Sequence, residues 1–191
     1  VNGLLLNRDT LDVLVAHFPS RSGGARESEP YRLLAARKVK HAIDSLYTTR
    51  PQPQIVILGD FNDSPENKSV KEVLEAAAPS TLQDSLHPQK LYHLLARKTK
   101  TRKHFGSYKY QGEWGLLDHI IVSGTLLQEH APLYTEEAKA DVFCLPFLLT
   151  RDKKYGGQQP FRTYYGMKYQ GGYSDHLPVY AEFRVIYQSE Y

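Results

Sequence analysis

The sequence predicts an α/β fold, and three observations carry that expectation. Ile55 to Leu58 is a short, branched, apolar run that ends in Gly59-Asp60-Phe61-Asn62. A run of this kind suits a strand buried on both faces at the centre of a sheet. Upstream, the strand candidate Leu11 to His17 is followed by a helical pattern beginning at Pro30. Strand, helix, strand in that order favours parallel strands joined by a crossover helix. Finally, 191 residues at 41% hydrophobic composition suffice for one domain with a real core.

At the amino-terminal end, Gly3 to Asn7 is a strand candidate and Arg8-Asp9-Thr10 a tight turn. With Leu11 to His17 they form a β-hairpin. His17 closes its strand before Phe18-Pro19-Ser20-Arg21-Ser22-Gly23-Gly24. Such a loop can offer Ser20, Arg21 and backbone N–H groups to an anion. Taken alone, the histidine reads as structural. Pro30 suits a first helical turn capped by Ser28 or Glu29. Leu34, Ala35, Val39, Ala42, Ile43 and Leu46 continue at helical spacing, and Arg32, Arg37, Lys38 and Lys40 read as a solvated surface. Pro51 and Pro53 end the segment.

In the central stretch, Gly59 lets the backbone approach another group closely. Asp60 and Asn62 stand two apart, so continued extended backbone would put both on one side, with Asp63 on the other. They would then lie at the carboxyl end of a buried strand, where open α/β sheets place ligands. All these residue types also favour turns, so a plain turn and an active site both remain open for the tetrapeptide alone.

Beyond it, Val70 to Ala78 reads as a short helix stopped by Pro79, and Leu82 to Leu95 as a further short helix. Arg97 to Lys103 holds five basic residues in seven positions and reads as a solvated loop. Gly106 to Trp114 alternates enough for a strand or extended loop. Leu116 to Val122 reads as a buried strand with Asp118 inside it. A carboxylate there needs a partner, either a structural arginine or a catalytic histidine. Ala140 to Leu145 is a short strand candidate. Lys153 to Tyr173 reads as a long Gly-, Tyr- and basic-rich loop whose aromatics pack it down. Val179 to Ile186 is the last strand, with Asp175 and His176 at its mouth.

Composition narrows the partners. A net charge of +3 permits a phosphate-bearing ligand without demanding nucleic acid. One cysteine, Cys144, excludes an internal disulfide framework and a four-cysteine zinc site. No apolar run is long enough to cross a membrane, and no secretory signal is visible. Starting at Val1 without a methionine, the sequence reads as a processed, cut or partly displayed chain. Gly23-Gly24 forms no dinucleotide or phosphate-loop fingerprint.

Four polar clusters therefore fall at strand ends. They are His17, Asp60 with Asn62, Asp118, and Asp175 with His176. Val15 to Arg21, Gly59 to Asn62, Leu117 to Ile121 and Ser174 to Pro178 together resemble the endonuclease/exonuclease/phosphatase superfamily. That fold is shared by DNase I, abasic-site endonucleases, bacterial sphingomyelinases and inositol-polyphosphate phosphatases. The resemblance implies a DNase I-like four-layer α/β sandwich, with residues 1–191 supplying mainly its C-terminal half. It also implies phosphoester hydrolysis on nucleic acid, a phospholipid headgroup or a sugar phosphate.

In that family pattern His176 is the general base or a stabilising cation, and Asp118 holds its imidazole in one tautomer. Asp60 positions water or protonates the leaving group. Asn62 donates to phosphoryl oxygens, and His17 contacts the scissile phosphate. Asp175 helps bind Mg²⁺ or Mn²⁺. The reading requires Asp118 within hydrogen-bond reach of His176, with Asp60, Asn62 and His17 around one cleft. One departure stands out. The family's metal-binding glutamate and an early asparagine belong to an upstream segment, so the missing N-terminal half becomes an expected partner. Without it, the alternative is a module that binds phosphate or another partner without turnover. The Gly- and Tyr-rich segment before Ser174 looks similar to bacterial members, exported ones among them, and the compartment stays open.

Overall fold

The computed structural model describes residues 2–4, 10–79 and 86–186. Strands β1 (Asn2–Leu4) and β2 (Thr10–Val15) pair antiparallel, as the hairpin pattern predicts. The expected turn at Arg8 and Asp9 lies outside the described residues. Helix α1 (Glu29–Thr49) follows, with Ser28 at its cap position and Pro30 in the first turn. It crosses over to β3 (Gln54–Asp60), which runs parallel to β2. At the far end of α1, Arg50 pairs with the buried carboxylate of Asp12 on β2.

Two later strands complete the main sheet. They are β4 (Leu91–His93) and, after the hairpin of β5 (Tyr108–Tyr110) and β6 (Glu113–Gly115), β7 (Asp118–Ser123). The sheet order is β1-β2-β3-β7-β4, with β7 antiparallel to both neighbours. Alternation along β3 divides the core. Ile55 and Ile57 meet Ala36 and Ile43 of α1, whereas Val56 faces Leu116, Ile120, Val122 and Leu126 on the opposite side. A strand with helix on one face and chain on the other must be apolar on both, as this one is.

The later chain comprises β8 (Leu133–Tyr134), β9 (Ala140–Val142), β10 (Leu149–Arg151), β11 (Gln158–Pro160), β12 (Tyr164–Tyr165), β13 (Lys168–Tyr169), β14 (Val179–Ala181) and β15 (Arg184–Val185). These pair as small two-stranded ribbons, β8 with β15, β9 with β14, β10 with β11 and β12 with β13. Leu133, Ala140, Val142, Val179, Ala181 and Val185, from β8, β9, β14 and β15, cover that second face.

Several expectations are corrected. Leu82 to Leu95 is not a helix where it is described, because Leu91–His93 adds an edge strand to the main sheet. Val70 to Ala78 shortens to one π-helical turn, Ser69–Val73. The last strand is broken between Ala181 and Arg184. Arg97 to Lys103 is no solvated loop. It contains the helical turn α2 (Lys98–Thr101), with Arg97 paired to Glu137, Arg102 to Asp141 and Lys98 buried against the Ala140 carbonyl. Lys153 to Tyr173 is not one long loop, and its aromatics are not mostly packed. Tyr155, Tyr164, Tyr165, Tyr169 and Tyr173 are all exposed.

Candidate active site

The parallel pair β2-β3 ends where the chemistry begins. Ala16 and Phe18 donate their N–H groups to the carbonyls of Leu58 and Asp60, so His17 is carried beside Asp60. Gly59 makes that approach possible. Its φ is +134°, and a Cβ there would lie 2.0 Å from the Ala16 carbonyl oxygen. His17 Nε2 then stands 3.5 Å from Asp60 Oδ2.

Asp60 and Asn62 do share one side, but not through extended backbone. Asn62 is left-handed, with φ +50°. Its N–H donates to Asp60 Oδ1 at 2.7 Å, and its Nδ2 donates to Asp60 Oδ2 at 3.2 Å and to the Phe18 carbonyl at 3.0 Å. Asparagine tolerates this conformation better than most residues. Both amide hydrogens of Asn62 are thus spent on the protein, and its carboxamide orients Asp60.

Strand β7 lies beside β3 with Asp118 directly across from Asp60. The partner that a carboxylate in this strand calls for is a histidine. Asp118 Oδ2 accepts from His176 Nδ1 at 2.7 Å. His176 is delivered from the opposite layer by a backbone bridge to Tyr108, whose ring lies 4.7 Å from the imidazole. Burial by itself lowers the His176 pKa. The Asp118 hydrogen bond and the charges of Asp118, Asp60 and Asp175 outweigh it, leaving the imidazole above its ordinary value. Asp60 is shifted up, chiefly by burial and also by Asp118, against the opposing Asn62 N–H and the histidines.

Ser20, Arg21, Asn62, Tyr108, Trp114, Asp175 and His176 line one cavity of about 610 Å³. Of the predicted polar residues, Ser20, Arg21, Asn62, Asp175 and His176 line it, while Asp118 and Asp60 adjoin it through their bonds to His176 and Asn62 and His17 stands beyond Asp60. Arg21 is largely committed, since its Nε donates to the Asn62 carbonyl at 2.6 Å and its guanidinium also reaches Asp63 and Asn67. Ser20 Oγ accepts from the Ser22 N–H at 3.3 Å. Asp60, Asp118 and His176 present potential ligand atoms within 4.8 Å of one another. Asp175 is exposed at the cavity and lies outside that trio. Two half-buried carboxylates suit a hard divalent cation, whereas His176 Nδ1 is already occupied by Asp118.

Sequence reasoning missed a supporting layer. Phe18 stacks on Phe61 at 4.2 Å, and Phe61 stacks on the His119 ring at 4.8 Å. Asp63 is buried and holds Arg32 at 2.7 Å, so Arg32 is a core residue and not part of a solvated helix surface. Tyr108 and Tyr110, two apart on β5, could have been found from the alternation of that segment.

An endonuclease/exonuclease/phosphatase family model matches residues 1–185. The chain belongs to the endonuclease/exonuclease/phosphatase family. Solved structures agree in fold. A humanised Danio rerio TDP2 carrying 14 mutations matches over 95% of this chain and 58% of its own, at 12% identity and TM-score 0.52. A Bacteroides thetaiotaomicron mannosyl-6-phosphatase matches over 93% and 52%, at 14% identity and TM-score 0.50. The human Nocturnin catalytic domain matches over 95% and 49%, at 14% identity and TM-score 0.48. The family match, with the TDP2 and mannosyl-6-phosphatase structures, gives this chain the DNase I-like mixed α/β architecture. The chain spans about half the length of the structures it matches. No curated protein matches it in sequence.

Proposed function

We propose that this chain carries the site of a divalent-metal-dependent phosphoester hydrolase. The observation that supports it most is the 2.7 Å His176–Asp118 hydrogen bond beside Asp60 at a cavity mouth. Asp118 accepts the Nδ1 proton, which leaves Nε2 of His176 as the nitrogen that can take a proton from water. Asp60, ionised as a ligand of the cation, orients that water. Asn62 holds Asp60 in place. His17, exposed and next to Asp60, is free to meet a phosphoryl oxygen.

Asp60 and Asp118 would hold Mg²⁺ or Mn²⁺, with Asp175 near them at the cavity. A bound cation of this kind supplies charge neutralisation for the phosphoryl oxygens. Ser20 and Arg21 form the anion-facing wall. Arg21 acts mainly by bracing the loop that carries Asn62. The substrate class is a phosphodiester or phosphomonoester, with nucleic acid, phospholipid headgroup and sugar phosphate as the candidates.

The test is hydrolysis of a generic phosphodiester and a phosphomonoester with Mg²⁺ or Mn²⁺, with chelator, and with Asp60→Ala and His176→Ala. The expected result is metal-dependent turnover that falls ~10²–10⁴-fold in His176→Ala. Turnover unchanged in both variants would sink the assignment. The Asn62 side-chain amide, with both hydrogens spent on Asp60 and Phe18 and none left for a phosphoryl oxygen, supports a second reading, a phosphate-binding module without turnover. That reading expects phosphate binding and no metal-stimulated hydrolysis.

A further inference from the structure

The segment 149–170 builds a second cavity of about 350 Å³ that shares no lining residue with the cleft around His176. Its origin is local. Strand β10 ends in Arg151, the turn to β11 carries Asp152, Lys153, Lys154 and Tyr155, and the chain leaving β11 adds Arg162. Four cations therefore surround one hollow.

Asp152 is the single acid lining it, and its carboxylate is already used. It pairs with the buried Lys109 Nζ at 2.8 Å and accepts the N–H groups of Lys154 and Tyr155 at 3.0 and 2.9 Å. The Lys109 bond, with those N–H groups, holds this carboxyl below its ordinary range. Among the described residues no carboxylate forms an ion pair with Arg151, Lys153, Lys154 or Arg162. Lys154 lies over the Tyr155 ring at 4.9 Å, and the Arg162 guanidinium lies over Tyr165 at 5.5 Å.

The second observation is at Arg162 itself. Its Nε is buried without a hydrogen-bond partner. A buried donor left unmet is costly, and a bound acceptor would remove that cost. A guanidinium with lysines beside it matches a tetrahedral oxyanion, because the planar fork gives directed bonds and the ammonium groups give charge. The turn is also held in place for binding. Lys109 Nζ donates to the Gly156 carbonyl at 2.8 Å as well as holding Asp152. The residue before it on β5, Tyr108, lies against His176, so one strand carries both the cleft and this pocket.

We propose that this pocket is an accessory phosphate-binding site, taking a phosphate mono- or diester group through Arg162, Arg151 and Lys153. It stands on its own geometry and does not require the cleft to be catalytic. The test follows backbone amide and arginine Nε–H resonances of the ¹⁵N-labelled chain during titration with inorganic phosphate in chelator. The Arg162 Nε–H and the amides of residues 151–157 are expected to shift saturably. An Arg151→Gln/Lys153→Gln double variant changes only exposed side chains and should weaken that response at least about fivefold, one charge-assisted contact being worth roughly that much. Arg162→Gln should do the same. His176→Ala should leave the response intact. No saturable shift in this segment would overturn the proposal. So would curves unchanged in the double variant, or shifts that disappear with His176→Ala.

Discussion

His93 and His119 form a buried relay whose protonation is fixed by what surrounds it. His119 Nε2 faces the Asp63 carbonyl at 2.8 Å and so must carry the proton. Its Nδ1 is then an acceptor, and His93 Nε2 donates to it at 2.5 Å. His93 Nδ1 in turn accepts the Leu95 N–H at 3.1 Å. Both rings are neutral, since either extra proton would break a bond in the series. Burial, reinforced for His93 by His119, holds His93 well below the ordinary histidine value and His119 down to about 4. In the unfolded chain both titrate near 6.5. Below that pH the unfolded state binds more protons, so stability is fully present above about 6.5 and is lost as pH falls toward the folded values. The expected slope is about 1.4 kcal/mol per pH unit for each histidine. Urea midpoints at pH 7.5 and 5.5 measure it, and His93→Gln should flatten the difference. An equal difference in that variant would assign the acid sensitivity elsewhere.

At the scale of elements, the loop after β3 is shaped by an ion pair that the helix pattern conceals. Asp63 accepts from Arg32 Nε at 2.7 Å and from Ser69 Oγ at 2.6 Å, while Arg32 also reaches Ser28 Oγ and the Ala25 carbonyl, each at 2.7 Å. The pair fastens α1 and the Ser69–Val73 turn to the loop that carries Asp60 and Asn62. Removing one partner strands a buried charge, so Asp63→Ala should cost about 3–5 kcal/mol. Chemical denaturation checks this, and a loss below 1 kcal/mol would show the pair to be dispensable. Arg32 was illegible as a core residue for a physical reason. Helical periodicity says which face an arginine occupies, but not that an acid 31 positions away will follow it inside.

For the whole molecule, the proposed cation between the Asp60 and Asp118 carboxylates would bind only the folded chain. At a concentration about 100 times its Kd it should stabilise folding by about 2.7 kcal/mol. Mn²⁺ should therefore raise the thermal midpoint, chelator should reverse the rise, and Asp60→Asn should abolish it. A midpoint indifferent to metal in the native chain would deny the cation site. The sequence alone determined the hairpin, the crossover helix, the buried strand and the polar residues at the strand ends, because burial and period are local properties of a chain. It also marked Asp118 as needing a partner. The family resemblance named His176 as that partner, but only the tertiary structure brings it to 2.7 Å across 58 residues and has Asn62 reach Asp60 by a left-handed turn. The same is true of Leu91–His93, where three residues gain strand character by pairing with β7. The cations of segment 149–170 likewise face a shared hollow because Lys109, from another hairpin, takes the one acid among them. Contacts across such separations depend on loop closure and packing in three dimensions, and no window of sequence contains them.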